Sequence, residues 1–273
     1  MNKKLLKIAA FVTATVLTIG LAFFANALVG NPVSKYLVKK SAQSHIEKTY
    51  PNENFYIKDT GYSFKENGYY VNVTCDKSLD KHFRLSYNSL GKLVYDSYEH
   101  DIKEKHNAVR RVFDEYWNLV KNVTESPTFP FDSDIGYGEL FKGGVGMYDF
   151  PIDMPNKMSD LDFEIDKIYD VRALGKDMGI ITLYVEDDSV TEERFAQILL
   201  EVKNFFDYNN VPFYAVNLVL EPPRDSDGKR QGNDIRAEKI CYSDITDDEG
   251  YMERVREAIK ATAEFYDELN DKK

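Results

Sequence analysis

The chain has 273 residues, 43% hydrophobic and 14% aromatic, which suits one large or two small globular domains and excludes a disordered chain. A net charge of −11 repels phosphate backbones and anionic lipid on average, so nucleic acid is not an expected partner. With two cysteines, Cys75 and Cys241, a disulfide framework and a cysteine-rich zinc site are both excluded.

From Ile8 to Val29 no residue is charged. As a helix this run reaches about 33 Å, enough to cross a hydrocarbon core of about 30 Å. Residues 1–30 therefore read as a membrane anchor, and the membrane is the first expected partner. Lys3, Lys4 and Lys7 precede it, which places the N-terminus in the cytoplasm and the rest outside. Lys35, Lys39 and Lys40 beyond it are a counter-signal. Ala25-Asn26-Ala27 has the form of a signal-peptidase site, so secretion after cleavage following Ala27 is the alternative to a retained anchor.

The first domain is expected over 31–125. Asn31-Pro32 opens a helix that Pro51 stops, with Val38, Ala42, Ile46 and Tyr50 on one stripe, and this helix could continue the membrane segment as a stalk. Period-two alternation then predicts an antiparallel meander: strands around Phe55–Phe64, Tyr69–Cys75, Phe83–Tyr87 and Leu93–Tyr95, with Asn67-Gly68 as a type I′ turn. Val109, Val112, Phe113, Tyr116, Trp117 and Val120 mark a strong helix over about 102–122, with the single tryptophan read as core. The order helix, sheet, helix is an α+β module.

Gly30-Asn31-Pro32-Val33-Ser34-Lys35-Tyr36-Leu37, then Lys39-Lys40 and Tyr50-Pro51, resembles the segment after the membrane helix in the YfjL-like proteins. Val211-Pro212-Phe213-Tyr214 resembles their C-terminal domain. The resemblance implies a membrane-anchored protein of a Gram-positive bacterial surface, and it carries no catalytic residue across.

Residues 126–160 are punctuated by Pro127, Pro130, Pro151 and Pro155 and by five glycines, which reads as a linker. Its aromatics, Phe129, Phe131, Tyr137, Phe141, Tyr148 and Phe150, are the candidate interaction surface, set against plain packing on a domain. The second domain, 161–273, reads as β-α-β-β-α. It comprises a short strand at Phe163–Ile165, a β-branched strand at Ile180–Val185, and a helix opened by Ser189 as a capping box. A buried strand at Phe213–Leu220, a strand at Ile235–Cys241 and a final helix with Met252, Val255, Ile259, Ala263 and Tyr266 inward complete it.

No catalytic, cofactor or metal signature emerges. His100 and His106, six residues apart, would lie about 240° apart on a helix, so zinc has no support. Asp225-Ser226-Asp227-Gly228 fails the calcium-loop spacing and reads as a hairpin tip. Glu186-Asp187-Asp188 and Asp247-Asp248-Glu249 read as acids at helix N-termini. Cys75 and Cys241 read as buried small residues, with their pairing left open. The expected function is binding or interaction with an envelope protein or peptide, not catalysis. The alternative is a cell-surface hydrolase whose site is assembled only in the fold.

Overall fold

The computed structural model describes residues 3–143 and 154–271, and the chain divides into two units. One comprises Met1–Val109 and Phe163–Lys167, the other Arg110–Asp162 and Ile168–Lys273.

Helix α1 (Lys3–Val29) opens the first unit. Its stretch Leu6–Asn26 has mean hydropathy 2.2, and none of it is buried. That length and apolarity suit a membrane span and suit a signal sequence equally. The helix does not run on as a stalk. Gly30 takes a left-handed φ of 73°, and helix α2 (Pro32–Thr49) starts afresh with Asn31 as its cap, whose side chain accepts from the Ser34 N–H at 2.7 Å.

Four strands follow as the alternation predicts: β1 (Tyr56–Ser63), β2 (Gly68–Thr74), β3 (His82–Tyr87) and β4 (Leu93–Asp96). They form an antiparallel meander in chain order. One face carries Tyr69, Val71 and Val73 of β2 and Phe83, Leu85 and Tyr87 of β3, packed with Val38, Ala42 and Ile46 of α2. Each Val, Leu, Ile or Phe among these contributes about 1.5–3 kcal/mol when fully buried. The β1–β2 connection is not a two-residue turn. Ser63 pairs with Gly68, leaving a four-residue loop in which Asn67 carries the positive φ.

The strong helix starts later than its stripe suggests. A single π-helical turn (Glu99–Lys103) comes first, Lys105 takes a φ of 63°, and α3 (His106–Thr124) begins beyond it. The division between the units falls inside α3. In the first unit Asp166 accepts from the Ser78 hydroxyl and the Leu79 N–H, both at 2.7 Å, and from the Asp80 N–H at 3.1 Å. Asp80, fully buried, accepts from the Asp166 N–H in return. This exchange lies just after the segment expected as a strand at Phe163–Ile165, which is irregular.

The second unit holds β5 (Asp132–Leu140), α4 (Val171–Met178), β6 (Gly179–Glu186), α5 (Glu192–Tyr208), β7 (Ala215–Glu221), β8 (Ile235–Cys241) and α6 (Tyr251–Asp271). The sheet order is β5-β6-β7-β8, with β6 and β7 parallel and the outer pairs antiparallel. The stretch expected as linker thus supplies an edge strand. Its glycines serve close packing: a Cβ at Gly136 would lie 2.7 Å from Thr124 Cβ, and one at Gly138 would clash with Val120 of α3. Helix α5 is capped by Thr191, not Ser189, and buries Phe195, Ile198, Leu199, Val202 and Phe206. On α6 the inward stripe is Tyr251, Val255 and Thr262, while Ala263 is exposed. Thr262 turns inward because β8 bulges at Lys239 (φ 54°). The Thr262 hydroxyl accepts the Glu238 N–H, and Asn217 accepts that of Lys239.

Candidate functional site

Of the six aromatics expected to form a binding loop, Tyr148 and Phe150 lie outside the described residues. The other four are half-buried within the second unit. Tyr137 stacks on Trp117 at 4.8 Å, and Phe129 meets Phe131 and Phe205 edge-on, each at 5.5 Å. Phe141 donates its N–H to the Met178 carbonyl. These four form no single surface: Tyr137 lies against Trp117 of α3, Phe129 and Phe131 lie near the end of α5, and Phe141 bonds to the end of α4.

A cavity of about 360 Å³ lies elsewhere in the same unit. Its walls come from the ends of four elements: Lys176 of α4, Asp207 of α5, the entry to β7 at Pro212-Phe213-Tyr214, and the exit from β8 at Cys241-Tyr242-Ser243. The Tyr242 hydroxyl donates to both Asp207 oxygens, at 3.0 and 2.9 Å, and Phe213 meets the Tyr242 ring edge-on at 5.1 Å. Lys203 sits 4.1 Å from the same ring and donates to the Ile245 carbonyl. Burial, and then Asp207, push the Tyr242 phenol above its usual range. Burial also raises the Cys241 thiol, with Asp244 adding to it and Tyr214 opposing. The thiol is therefore protonated at neutral pH and is a poor nucleophile. The cavity joins an aromatic wall to an exposed ammonium, which suits an apolar side chain beside an acid. Sequence reasoning missed it because its residues come from four separate segments. The one sequence signal was the Val211–Tyr214 run.

His100, Glu104 and His106 come together in the first unit, contrary to the helical reading of their spacing. The turn at Lys105 folds the chain back, and the two imidazoles stack at 3.9 Å, 6° from parallel. The His106 Nδ1 lies 2.8 Å from the His100 carbonyl, and the His100 Nδ1 lies 2.9 Å from Asp101. Parallel rings point their lone pairs side by side. An ion about 2.1 Å from both nitrogens would sit far out of each ring plane, so this geometry does not fit a metal without the rings splaying apart.

Both cysteines are free, Cys75 buried and Cys241 half-buried. Among the carboxylates read as helix-terminal acids, Asp187 is held by Arg194 at 2.7 Å, and Asp248 by Arg254 at 2.8 Å. Glu186 faces Glu221 across the parallel pair, and Arg230 bridges them at 2.7 Å on each side. Asp225 closes the hairpin tip by accepting from the N–H groups of Asp227 and Lys229.

An apolar leading helix, an α-plus-meander unit and a mixed-sheet unit define a two-domain α+β protein. Residues 3–97 match the YfjL-like N-terminal domain and residues 127–255 the YfjL-like C-terminal domain, so the chain belongs to the YfjL-like family. No curated protein and no solved structure matches it.

Proposed function

We propose that this chain is a single-pass membrane protein that works as a binding module, with its N-terminus in the cytoplasm and its folded units outside. The observation that carries the reading is α1: Leu6–Asn26 is strongly apolar, and the fold buries none of it. A helix apolar on every side and unpartnered by its own protein belongs in lipid. Binding is supported by the cavity at Pro212-Phe213-Tyr214, the run that also carries the family resemblance. Its occupant is an apolar or aromatic side chain of an envelope protein or peptide, with Lys176 pairing to an acid beside it. A non-catalytic role is supported by the raised Cys241 thiol and by carboxylates already committed to arginines.

Two experiments test this. Protease added to intact cells should remove the folded units; protection until the cells are permeabilised would overturn the topology. A photo-crosslinking residue in place of Ser243 should capture an envelope protein or peptide, and adding Lys176→Glu should abolish the capture. Capture that survives Lys176→Glu but is lost in Phe129→Ala/Phe131→Ala would move the binding surface to the aromatics of 129–141.

A further inference from the structure

We propose that the first unit rests on the bilayer through the end of its sheet nearest α1, using two hairpin tips and the first turns of α2 as an interfacial, anionic-lipid-binding face. This rests on the reading of α1 as a membrane helix. The motivating observation is where the unpartnered apolar groups lie. The chain leaves α1 at Gly30, which packs on the sheet: a Cβ there would lie 2.7 Å from the Tyr69 hydroxyl and 2.8 Å from the Tyr62 ring. The Asn31 N–H donates to the Tyr69 hydroxyl at 2.7 Å. Tyr62, Tyr69, Tyr87 and Leu93 pair in one row across all four strands at this end. In a meander both the β1–β2 and β3–β4 loops project beyond that row.

Each loop carries one exposed apolar side chain at its tip, Phe64 at 61% and Leu90 at 80% exposure. Gly91, beside Leu90, packs against the Leu37 carbonyl of α2. On the first turns of α2, Val33, Tyr36 and Leu37 are exposed opposite the buried Ser34 and Val38. Five large apolar groups left in water close to the root of a membrane helix are costly, unless lipid covers them.

Charge names the occupant. The three segments 31–41, 63–68 and 88–92 hold Lys35, Lys39, Lys40, Lys65 and Lys92 against one acid, Glu66. That leaves four positive charges on a chain whose net charge is −11. Apolar tips ringed by lysines match the boundary between anionic headgroups and acyl chains. On this reading Lys35, Lys39 and Lys40, which weaken a simple charge rule for orientation, are lipid ligands.

The test uses the full chain in vesicles of phosphatidylcholine and phosphatidylglycerol, brominated near the headgroup end of the acyl chains. Phe64→Trp, Leu90→Trp and Leu79→Trp are made one at a time, with Trp117 as the common background. Leu79 is 55% exposed, in the β2–β3 connection at the other end of the sheet. Seven residues of β2 at about 3.3 Å each put it roughly 20 Å away. Tryptophan at 64 and at 90 should lose about half its emission to the bromines at interfacial depth, while tryptophan at 79 should match the wild-type chain. Replacing phosphatidylglycerol by phosphatidylcholine should reduce the quenching. Amine labelling of the unmodified chain gives a second reading free of any folding defect. Lys65 and Lys92 should be protected in anionic vesicles and Lys77 not. If the chain stays with floated vesicles after alkaline carbonate but 64 and 90 quench no more than 79, the resting face is overturned and the anchor stands. If the chain leaves the vesicles in carbonate, the anchor fails and takes this proposal with it. Shielding of 64 and 90 from aqueous iodide without bromine quenching would also overturn it, in favour of a protein cover.

Discussion

The two sheets differ in how far along the chain each must reach to become complete. The first is a meander of neighbours, and one helix covers its buried face. It borrows one distant piece, the loop at Asp166, to close its β2–β3 connection. The second is built around a parallel pair whose strands are separated by α5, with nearly every residue of β6 buried. A meander is built from local contacts, whereas a parallel pair needs a crossover connection and therefore contacts more distant in sequence.

The sharpest way to break this comparison is Phe195→Ala on α5, a fully buried side chain. It should cost about 3–5 kcal/mol. Hydrogen exchange should show β6 and β7 amides losing protection while β2 amides keep theirs; equal loss in both would mean the units do not unfold separately. Next is Asp166→Ala, which should cost the first unit about 2 kcal/mol by leaving charge-assisted donors unpaired. The effect should appear as lost protection at Leu79 and Asp80. Burial pushes the Asp166 carboxyl up, but the Ser78 hydroxyl and the Asp80 and Leu79 N–H groups outweigh it, with help from Lys81, and hold it below its usual value. Its contribution is therefore complete above the ordinary carboxyl range and lost as pH falls through the lowered value. An acid titration of those amides checks this, and stability that fell on raising the pH instead would reverse the sign.

Smaller effects sharpen the contrast. Arg230→Met leaves Glu186 and Glu221 facing each other, with Arg224 4.0 Å from Glu186 as a partial replacement. A loss of about 1–2 kcal/mol is expected, reduced by added salt. A loss unaffected by salt would point to packing of the arginine stem instead. Tyr87→Phe should be smallest and of opposite sign. The Tyr87 hydroxyl is buried without a hydrogen-bond partner among the described residues, and burial, with Asp96, pushes it up to about 12. Removing it should leave stability unchanged or raise it by up to about 1 kcal/mol, measured by denaturant midpoint.

The sequence showed most where structure is local. The meander followed from period-two alternation, and α5 from its Phe195–Phe206 stripe, because each pattern is written within one segment. Strand β5 was hidden. Gly136 and Gly138 carry no side chain to alternate, and their reason for being there is α3, which no local pattern reveals. Helix α4 went unread because it is only eight residues long; Asp170 caps it, its side chain accepting from the Arg172 and Ala173 N–H groups. The α6 stripe went astray at Ala263, which is exposed, because Thr262 answers a bulge in β8, a demand set by another element. His100 and His106 were judged on a helix that the turn at Lys105 interrupts. Of the cavity only the Val211–Tyr214 run stood out, since only folding brings Lys176, Asp207, Phe213 and Tyr242 to one place.

The joint at Gly30 limits what this protein can do. Its left-handed φ and its close fit against Tyr62 and Tyr69 leave no slack between α1 and the first sheet. If α1 is embedded in lipid as proposed, the first unit has no leash on which to explore the space above the bilayer. Whatever meets that unit would then have to approach within its own thickness of the lipid. On that reading, several flexible residues inserted at the joint would turn a fixed unit into a roaming one.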